Sequence, residues 1–261
     1  MANYLKKIAR TFMTFFPFIK DWSYQVKRTT RKIFRLAFEE DFTAIQMIPD
    51  EKNVLYLDVG GNQGAVIDFL LLKKKNCQVI SFEPNPEVYQ KTYARFRGNP
   101  QVLVNNFGLG KNDGEFKLYI PEYRGYRFDG LGSLDSKFDD AWLAESLFFY
   151  DKKYLVMHEV VCKIRRLDDL ALDPLFVKVD VEGFELEVLL GGEKTIERSH
   201  PILLMESVEK DGEIMMYLER FGYKIYKYWR GEFILGERGS PNSFLMTDDK
   251  LKLLNLGEVL H

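Results

Sequence analysis

This sequence predicts an α/β fold built on a mostly parallel sheet with helices on both faces, and three observations carry that expectation. From Val54 onward, short β-rich runs alternate with helical patterns. The apolar run Val54-Leu55-Tyr56-Leu57 delivers the chain to Asp58-Val59-Gly60-Gly61-Asn62-Gln63-Gly64, where glycines permit a sharp turn and close approach of a ligand to the backbone. Glu83 then ends a second apolar run, which places a carboxylate at a strand's carboxyl end, the edge where open α/β sheets bind ligands.

Taken in order, strands are expected near 54–58, 78–82 and 101–105, with helices near 64–74 and 86–97 between them. Pro84 and Pro86 withhold backbone donors and so end the second strand. The alternation then lapses, and an insertion is expected over about 107–175. It holds strands near 114–120 and 156–164, a Gly/Ser/Asp-rich loop around 125–137 and a helix near 139–149. Its aromatics Tyr123, Tyr126, Phe128 and Trp142 suit either stacking on a sugar face or covering the insertion's own core. Phe176 to Asp180 reads as the fourth parallel strand, followed by a turn at 181–183 and a helix over 184–198. Residues 202–206 read as the fifth strand and 210–221 as a helix. The runs 223–228, 232–235 and 243–246 suggest an antiparallel sheet edge.

A chain of 261 residues that is 46% hydrophobic can bury one substantial core. Residues 1–50 read as a basic, aromatic-rich helical arm ahead of a domain over 51–261. The net charge of −2 conceals an asymmetry: residues 1–35 carry nine Lys or Arg against Asp21 alone, a segment charge of +8 that leaves the remainder at −10. So acidic a body disfavours broad contact with nucleic acid. In the arm, Leu5, Ile8, Phe12, Phe15 and Ile19 fall near helical spacing, and Pro17 should divide the element. The simpler expectation packs that apolar stripe on the domain with the lysines solvated; the other is peripheral contact with an anionic membrane through residues 1–35. Thr11 to Ile19 is too short to span a bilayer, and no small-x-small cleavage pattern follows it. Two cysteines outside any Cys-x-x-Cys pair fit a reducing cytoplasm, at most peripheral to the inner face of a membrane.

The glycine spacing bears on the cofactor. A dinucleotide fingerprint places glycine first, third and sixth, whereas counting from Gly60 the third residue is Asn62 and the sixth Ala65. NAD therefore fits poorly, though an NAD-linked sugar-modifying enzyme stays an alternative. Asp-x-Gly-x-Asn-x-Gly is similar instead to the turn of S-adenosylmethionine (SAM) enzymes of the Rossmann-like class. On that reading Asp58, Gly60, Asn62 and Gly64 meet the methionine part, with Asp58 attracting its ammonium, and Glu83 accepts the ribose hydroxyls.

Over roughly residues 52–208 the chain resembles the FkbM-like SAM-dependent methyltransferases. The carriers are Asp58 to Gly64, Phe82-Glu83-Pro84-Asn85-Pro86, Asn106 to Gly114, Arg166-Leu167-Asp168-Asp169-Leu170 and Lys178 to Glu185. The resemblance implies a Rossmann-like class I methyltransferase fold with a seven-stranded sheet. It also implies methyl transfer from SAM to a hydroxyl, typically of a carbohydrate, polyketide or other secondary metabolite. Arg166 and Gly61 depart from the family's commoner residues. The arm and the 120–155 region fall outside the strong resemblance and are the parts expected to choose a small-molecule or glycan acceptor.

An alcohol becomes a good nucleophile only when its proton leaves, which calls for a base or a metal ion. Asp180, at the end of the fourth strand, is the first candidate base, with orientation of SAM as its alternative role. Glu182 and Glu206 could converge with it, either raising one carboxyl's pKa or binding Mg²⁺. Glu182 could equally complement the dipole of the helix that follows, and Glu185 reads as a solvated or ion-paired helix residue. His158 is a further candidate base that could as well be structural. Asn105 and Asn106 end the third strand, where adenine contacts are expected, Asn106 being the better family match. Lys178 shares a strand face with Asp180 and is placed to pair with a carboxylate. The competing class is a noncatalytic module of the same fold recruited to a membrane by the arm.

Overall fold

The computed structural model describes residues 2–37, 40–133, 140–206 and 208–254. Two helices, α1 (Ala2–Phe15) and α2 (Lys20–Phe34), open the chain and are separated by a bend at Pro17. The central layer then follows: β1 (Leu55–Val59), α3 (Ala65–Lys73), β2 (Gln78–Phe82), α4 (Pro86–Phe96) and β3 (Val102–Asn105). The inserted region supplies β4 (Gly108–Leu109), β5 (Gly114–Tyr123), β6 (Tyr126–Arg127), α5 (Ala141–Ser146) and β7 (Leu155–Arg165). The chain returns to the main layer with β8 (Phe176–Val179), α6 (Glu185–Gly191), α7 (Glu193–Ser199), β9 (Ile202–Glu206) and α8 (Glu213–Glu219). It finishes with β10 (Lys224–Trp229), β11 (Glu232–Leu235), β12 (Asn242–Met246) and α9 (Asp248–Leu253). The expected loop beyond residue 133 and the first residue of the expected 139–149 helix lie outside the described residues.

Among the described residues the main sheet has eight strands in the order β11-β10-β12-β9-β8-β1-β2-β3. The five strands from β9 to β3 are parallel, and β12, β10 and β11 extend the sheet antiparallel. The resemblance implied seven strands; the eighth is the run at 232–235, already expected at the antiparallel edge, which pairs as β11 with β10. β1 alternates its side chains between two cores: Tyr56 joins Phe42, Ile67, Phe176 and Phe244 on one face, while Leu57 and Val59 join Val177, Leu189 and Leu218 on the other. Burial on both faces explains why these strands read as unbroken apolar runs. The order reverses between β1 and β8, so the crevice for a ligand opens at their carboxyl ends.

Local chemistry fixes the connections. Asn85 caps α4 by accepting from the Glu87 amide at 3.1 Å, and Pro86 begins the helix where no donor is needed. The single helix expected over 184–198 is two helices, broken at Gly192. Gly191 lies so close to the Gly110 carbonyl that a Cβ would overlap it.

Residues 107–175 contain a second sheet, ordered β4-β7-β5-β6, whose spine is the antiparallel β5/β7 pair running from Gly114↔Ile164 to Tyr123↔Leu155. Tyr123 packs with Leu143, Leu147 and Phe128 in that region's own core. Within the first fifty residues, Phe42 and Ile45 are fully buried in the main core, with the Phe42 and Phe69 rings 5.8 Å apart. Phe42→Ala is therefore expected to destabilise the fold by roughly 3–5 kcal/mol, read as a lowered urea midpoint; a change below 1 kcal/mol, on the order of a surface substitution, would contradict that placement.

The arm is turned the other way from the simpler expectation. The polar side of α1 faces the protein: the Arg10 guanidinium lies 4.8 Å from the Trp142 ring centre, Thr11 Oγ1 accepts from the Phe148 amide at 2.9 Å, and Thr14 is buried. Lys20, at the bend, pairs with Asp129 at 2.6 Å and donates to the Arg127 carbonyl at 2.6 Å. Cation–ring contacts and a largely buried ion pair hold this face down, and the apolar stripe points outward.

Candidate active site

The turn after β1 is pressed against its neighbours. The amides of Gly60 and Gly61 both donate to the Phe82 carbonyl, at 3.0 and 3.1 Å. Gly60 has φ +82°, and a Cβ there would overlap the Asp180 carbonyl oxygen at the end of β8; one on Gly61 would overlap Ser81 Oγ. Asn62 follows in the left-handed region at φ +43°. Gly60 and Asn62 line a cleft together with Glu83, Asp180, Glu182 and Glu206. Gly64 was expected beside them. It instead precedes α3 at φ +73°, outside the cleft lining, where a Cβ would press on Phe96 and Thr92 of α4.

The two acids at the strand ends are buried. Asp58 is fully enclosed below the turn: Oδ2 accepts from Ser81 Oγ at 3.2 Å, and Oδ1 has no hydrogen-bond partner. Burial pushes its pKa up to about 6, against the pull of the Lys178 cation. Glu83 clamps the site. One carboxylate oxygen accepts from the Asn62 amide and the other from the Asn85 amide, both at 2.8 Å. Burial raises its pKa to about 7 in spite of these bonds. Asn106, expected to touch adenine, is committed elsewhere: its amide donates to the carbonyls of Glu83 at 3.1 Å and Pro84 at 3.4 Å, bracing the second strand's exit outside the cleft lining.

At the other wall, Lys178 Nζ pairs with Asp180 Oδ2 at 2.6 Å, and the lysine is almost wholly buried. Glu182 occupies the left-handed region at φ +52°, a conformation that costs a side-chain-bearing residue free energy. Its pKa is raised to about 7, first by burial and then by the carboxylates of Asp180, Glu206 and Glu185. Glu185 Oε1 accepts from the amides of Gly183 at 3.1 Å and Val181 at 3.4 Å and so braces the turn that presents Glu182.

Two expectations move. His158 lies on β7 with Nε2 3.0 Å from Glu122 Oε2, away from the cleft lining, which gives it no proton to take there. For Mg²⁺, the three carboxylates do line one cleft, but among the described residues no group of three His, Cys, Asp or Glu side chains is disposed to hold a metal ion.

The outer wall comes from the inserted region: Leu118, Asp129, Gly130, Gly132 and Ile164, with Phe184 from the main layer. A Cβ on Gly130 would lie 3.3 Å from Asn62 Nδ2, so the two loops are in close contact across the cleft. The Gly/Ser/Asp-rich loop was the only sequence signal for Asp129, Gly130 and Gly132, and Leu118, Ile164 and Phe184 carried none. Tyr123 and Tyr126 are buried, Trp142 takes the Arg10 cation, and none of the four expected aromatics lines the cleft. The cleft thus brings together a glycine wall, the buried Glu83 and the carboxylates of Asp180, Glu182 and Glu206, with Glu83 and Glu182 both poised to exchange a proton near neutrality.

Residues 58–225 match the family described as the methyltransferase FkbM domain. Among curated proteins, the chain is 25% identical over 221 residues to the AMB antimetabolite synthetase AmbE of Pseudomonas aeruginosa, covering 70% of this chain and 10% of that one. It is 28% identical over 160 residues to Methyltransferase 1 of Beauveria bassiana, covering 55% and 59%. The chain thus spans a small part of the first relative and just over half of the second. Among solved structures it resembles methyltransferase FkbM from Methylobacillus flagellatus, at 15% identity and a TM-score of 0.46 over 76% of this chain and 44% of that one. It also resembles the precorrin-6y C5,15-methyltransferase of Geobacter metallireducens, at 13% identity and a TM-score of 0.40 over 80% and 86%.

Proposed function

We propose, for a chain that belongs to the FkbM-domain methyltransferase family, that it transfers a methyl group from SAM to a hydroxyl oxygen of a carbohydrate, glycolipid or secondary-metabolite acceptor. The observation that carries the reading is the Glu83 clamp: one carboxylate joins the glycine turn to the exit of the second strand and faces the same cleft as Asp180, Glu182 and Glu206.

SAM, when bound, supplies an electrophilic sulfonium methyl. The residues suit it in two respects. Asp58, enclosed beneath the turn, keeps an unpartnered carboxylate oxygen whose negative charge attracts an ammonium seated over the glycines. Glu83 uses each oxygen once and retains lone pairs for ribose hydroxyls. Gly60 and Gly61 allow the approach that a Cβ would block. On the acceptor side, Lys178 already neutralises Asp180, which suits it to holding ligands in place; Glu83 and Glu182 both have pKa values of about 7, but the Asn62 and Asn85 amides occupy Glu83, which leaves Glu182 as the base. Asp129, Glu182 and Glu206 together favour a polyhydroxyl acceptor that donates hydrogen bonds over one carrying phosphate. The two closely spaced walls position the acceptor and restrict water.

Calorimetry tests the cofactor. SAM and S-adenosylhomocysteine are expected to bind and NAD not to, and Glu83→Ala should weaken SAM by about 10- to 100-fold, as loss of hydrogen bonds to a charged group does. Saturable NAD binding without SAM binding would refute the assignment. Incubating the protein with labelled SAM and fractionated glycans and lipids then identifies the acceptor class.

A further inference from the structure

The first two helices expose what a helix ordinarily buries. Leu5, Ile8, Phe12 and Phe15 of α1 recur at helical spacing and all face outward, with Phe12 54% exposed. Across the Pro17 bend the series continues: the rings of Phe12 and Phe16 are 4.7 Å apart and those of Phe16 and Phe18 are 6.0 Å apart, and Phe18 is 79% exposed. On α2 the stripe resumes with Trp22 at 68% and Ile33 at 67%, with Val26 between them. Phe149, also exposed, adjoins it through Phe148 and Tyr4. Contiguous apolar surface of this kind marks a binding face. Lys6, Lys27 and Lys32 are exposed on the same two helices, in a segment of nine cations and one acid.

From this we infer that residues 2–36 form a docking face for an anionic phospholipid surface, with the apolar stripe sunk into the headgroup boundary and the lysines against the phosphates. The charge selects this occupant. Two copies meeting through the same face would bring the exposed Lys6, Lys27 and Lys32 cations of both together, and among the described residues no helix is long and apolar enough to cross a membrane. Lys20 ties the bend to Asp129, which lines the cleft, so an acceptor held in the headgroup layer is met at the cleft's own wall. That last step rests on the methyl-transfer reading; the docking itself does not.

Sedimentation of the full chain with vesicles tests the docking. Binding to phosphatidylglycerol-containing vesicles is expected, with little to phosphatidylcholine alone, and it should weaken as salt is raised from about 0.1 to 0.5 M. The triple variant F18S/W22S/I33S should lose about tenfold or more in partitioning, and K6E/K27E/K32E should lose the preference for anionic lipid. Far-UV circular dichroism establishes that both variants are folded. Absence of wild-type binding, equal binding by the serine variant, or a wild-type dimer that this variant dissolves without any vesicle partitioning would each overturn the inference. SAM calorimetry on the serine variant, expected unchanged, separates failure of docking from failure of the methyl-transfer reading.

Discussion

Glu182→Gln is expected to lower kcat by roughly 10²- to 10⁴-fold while leaving SAM affinity within about threefold, the signature of a lost general base. The cause is its setting. Burial and three neighbouring carboxylates hold its pKa at about 7, so a large share of the protein carries the proton-accepting form at neutral pH. The sign follows: kcat in the wild type should fall about tenfold per pH unit below pH 7 and level off above it, because only the carboxylate accepts a proton. In the Gln variant that acidic limb should vanish. Asp180→Asn serves as the comparison, since Asp180 is already paired with Lys178 and its loss should act more on binding than on the limb. Should the limb survive in E182Q and disappear in D180N, the two roles are reversed. A ¹³C-carboxyl titration reads the same property without an acceptor, and a Glu182 midpoint near the ordinary carboxylate value would remove the basis for the assignment.

What the sequence disclosed depended on the range of the interactions. Gly60 and Glu83 were legible because a glycine turn and a strand-ending acid are local signals, and the strands that bracket them are buried on both faces. The wall formed by Asp129, Gly130 and Leu118 was not legible, because it exists only once β5 has paired with β7 across some forty residues, and which distant strands pair is a tertiary outcome that no local pattern carries. Asn106 shows a related limit: its position at the end of the third strand was read correctly, but the carbonyls its amide would find belong to another strand's exit. In the arm, the periodicity of Leu5, Ile8, Phe12 and Phe15 defined a stripe without saying which way it faces. The partners that decide this, Trp142, Phe148 and Asp129, lie more than a hundred residues away.

Gly60→Ala should be the most damaging small substitution in the cleft, costing about 3–5 kcal/mol of stability and abolishing SAM binding. Two penalties combine. A φ of +82° costs alanine on the order of 1–2 kcal/mol, and the new methyl overlaps the Asp180 carbonyl oxygen, a backbone atom just beyond β8 that cannot rotate away as a side chain could. Relief requires β1 and β8 to separate at their carboxyl ends, where the Asp180 amide bonds the Val59 carbonyl at 3.0 Å. Two other glycines isolate the contributions. Gly183 has φ +90° with nothing within 4 Å of its Cβ position, so Gly183→Ala measures the backbone penalty alone. Gly98 has open space and no positive φ, so Gly98→Ala should change stability by less than about 0.5 kcal/mol. Denaturant midpoints are thus expected to fall in the order Gly98→Ala, Gly183→Ala, Gly60→Ala. Equal midpoints for the first and last would mean that the turn is not held against β8, and the glycine wall on which the cofactor reading depends would be lost with it.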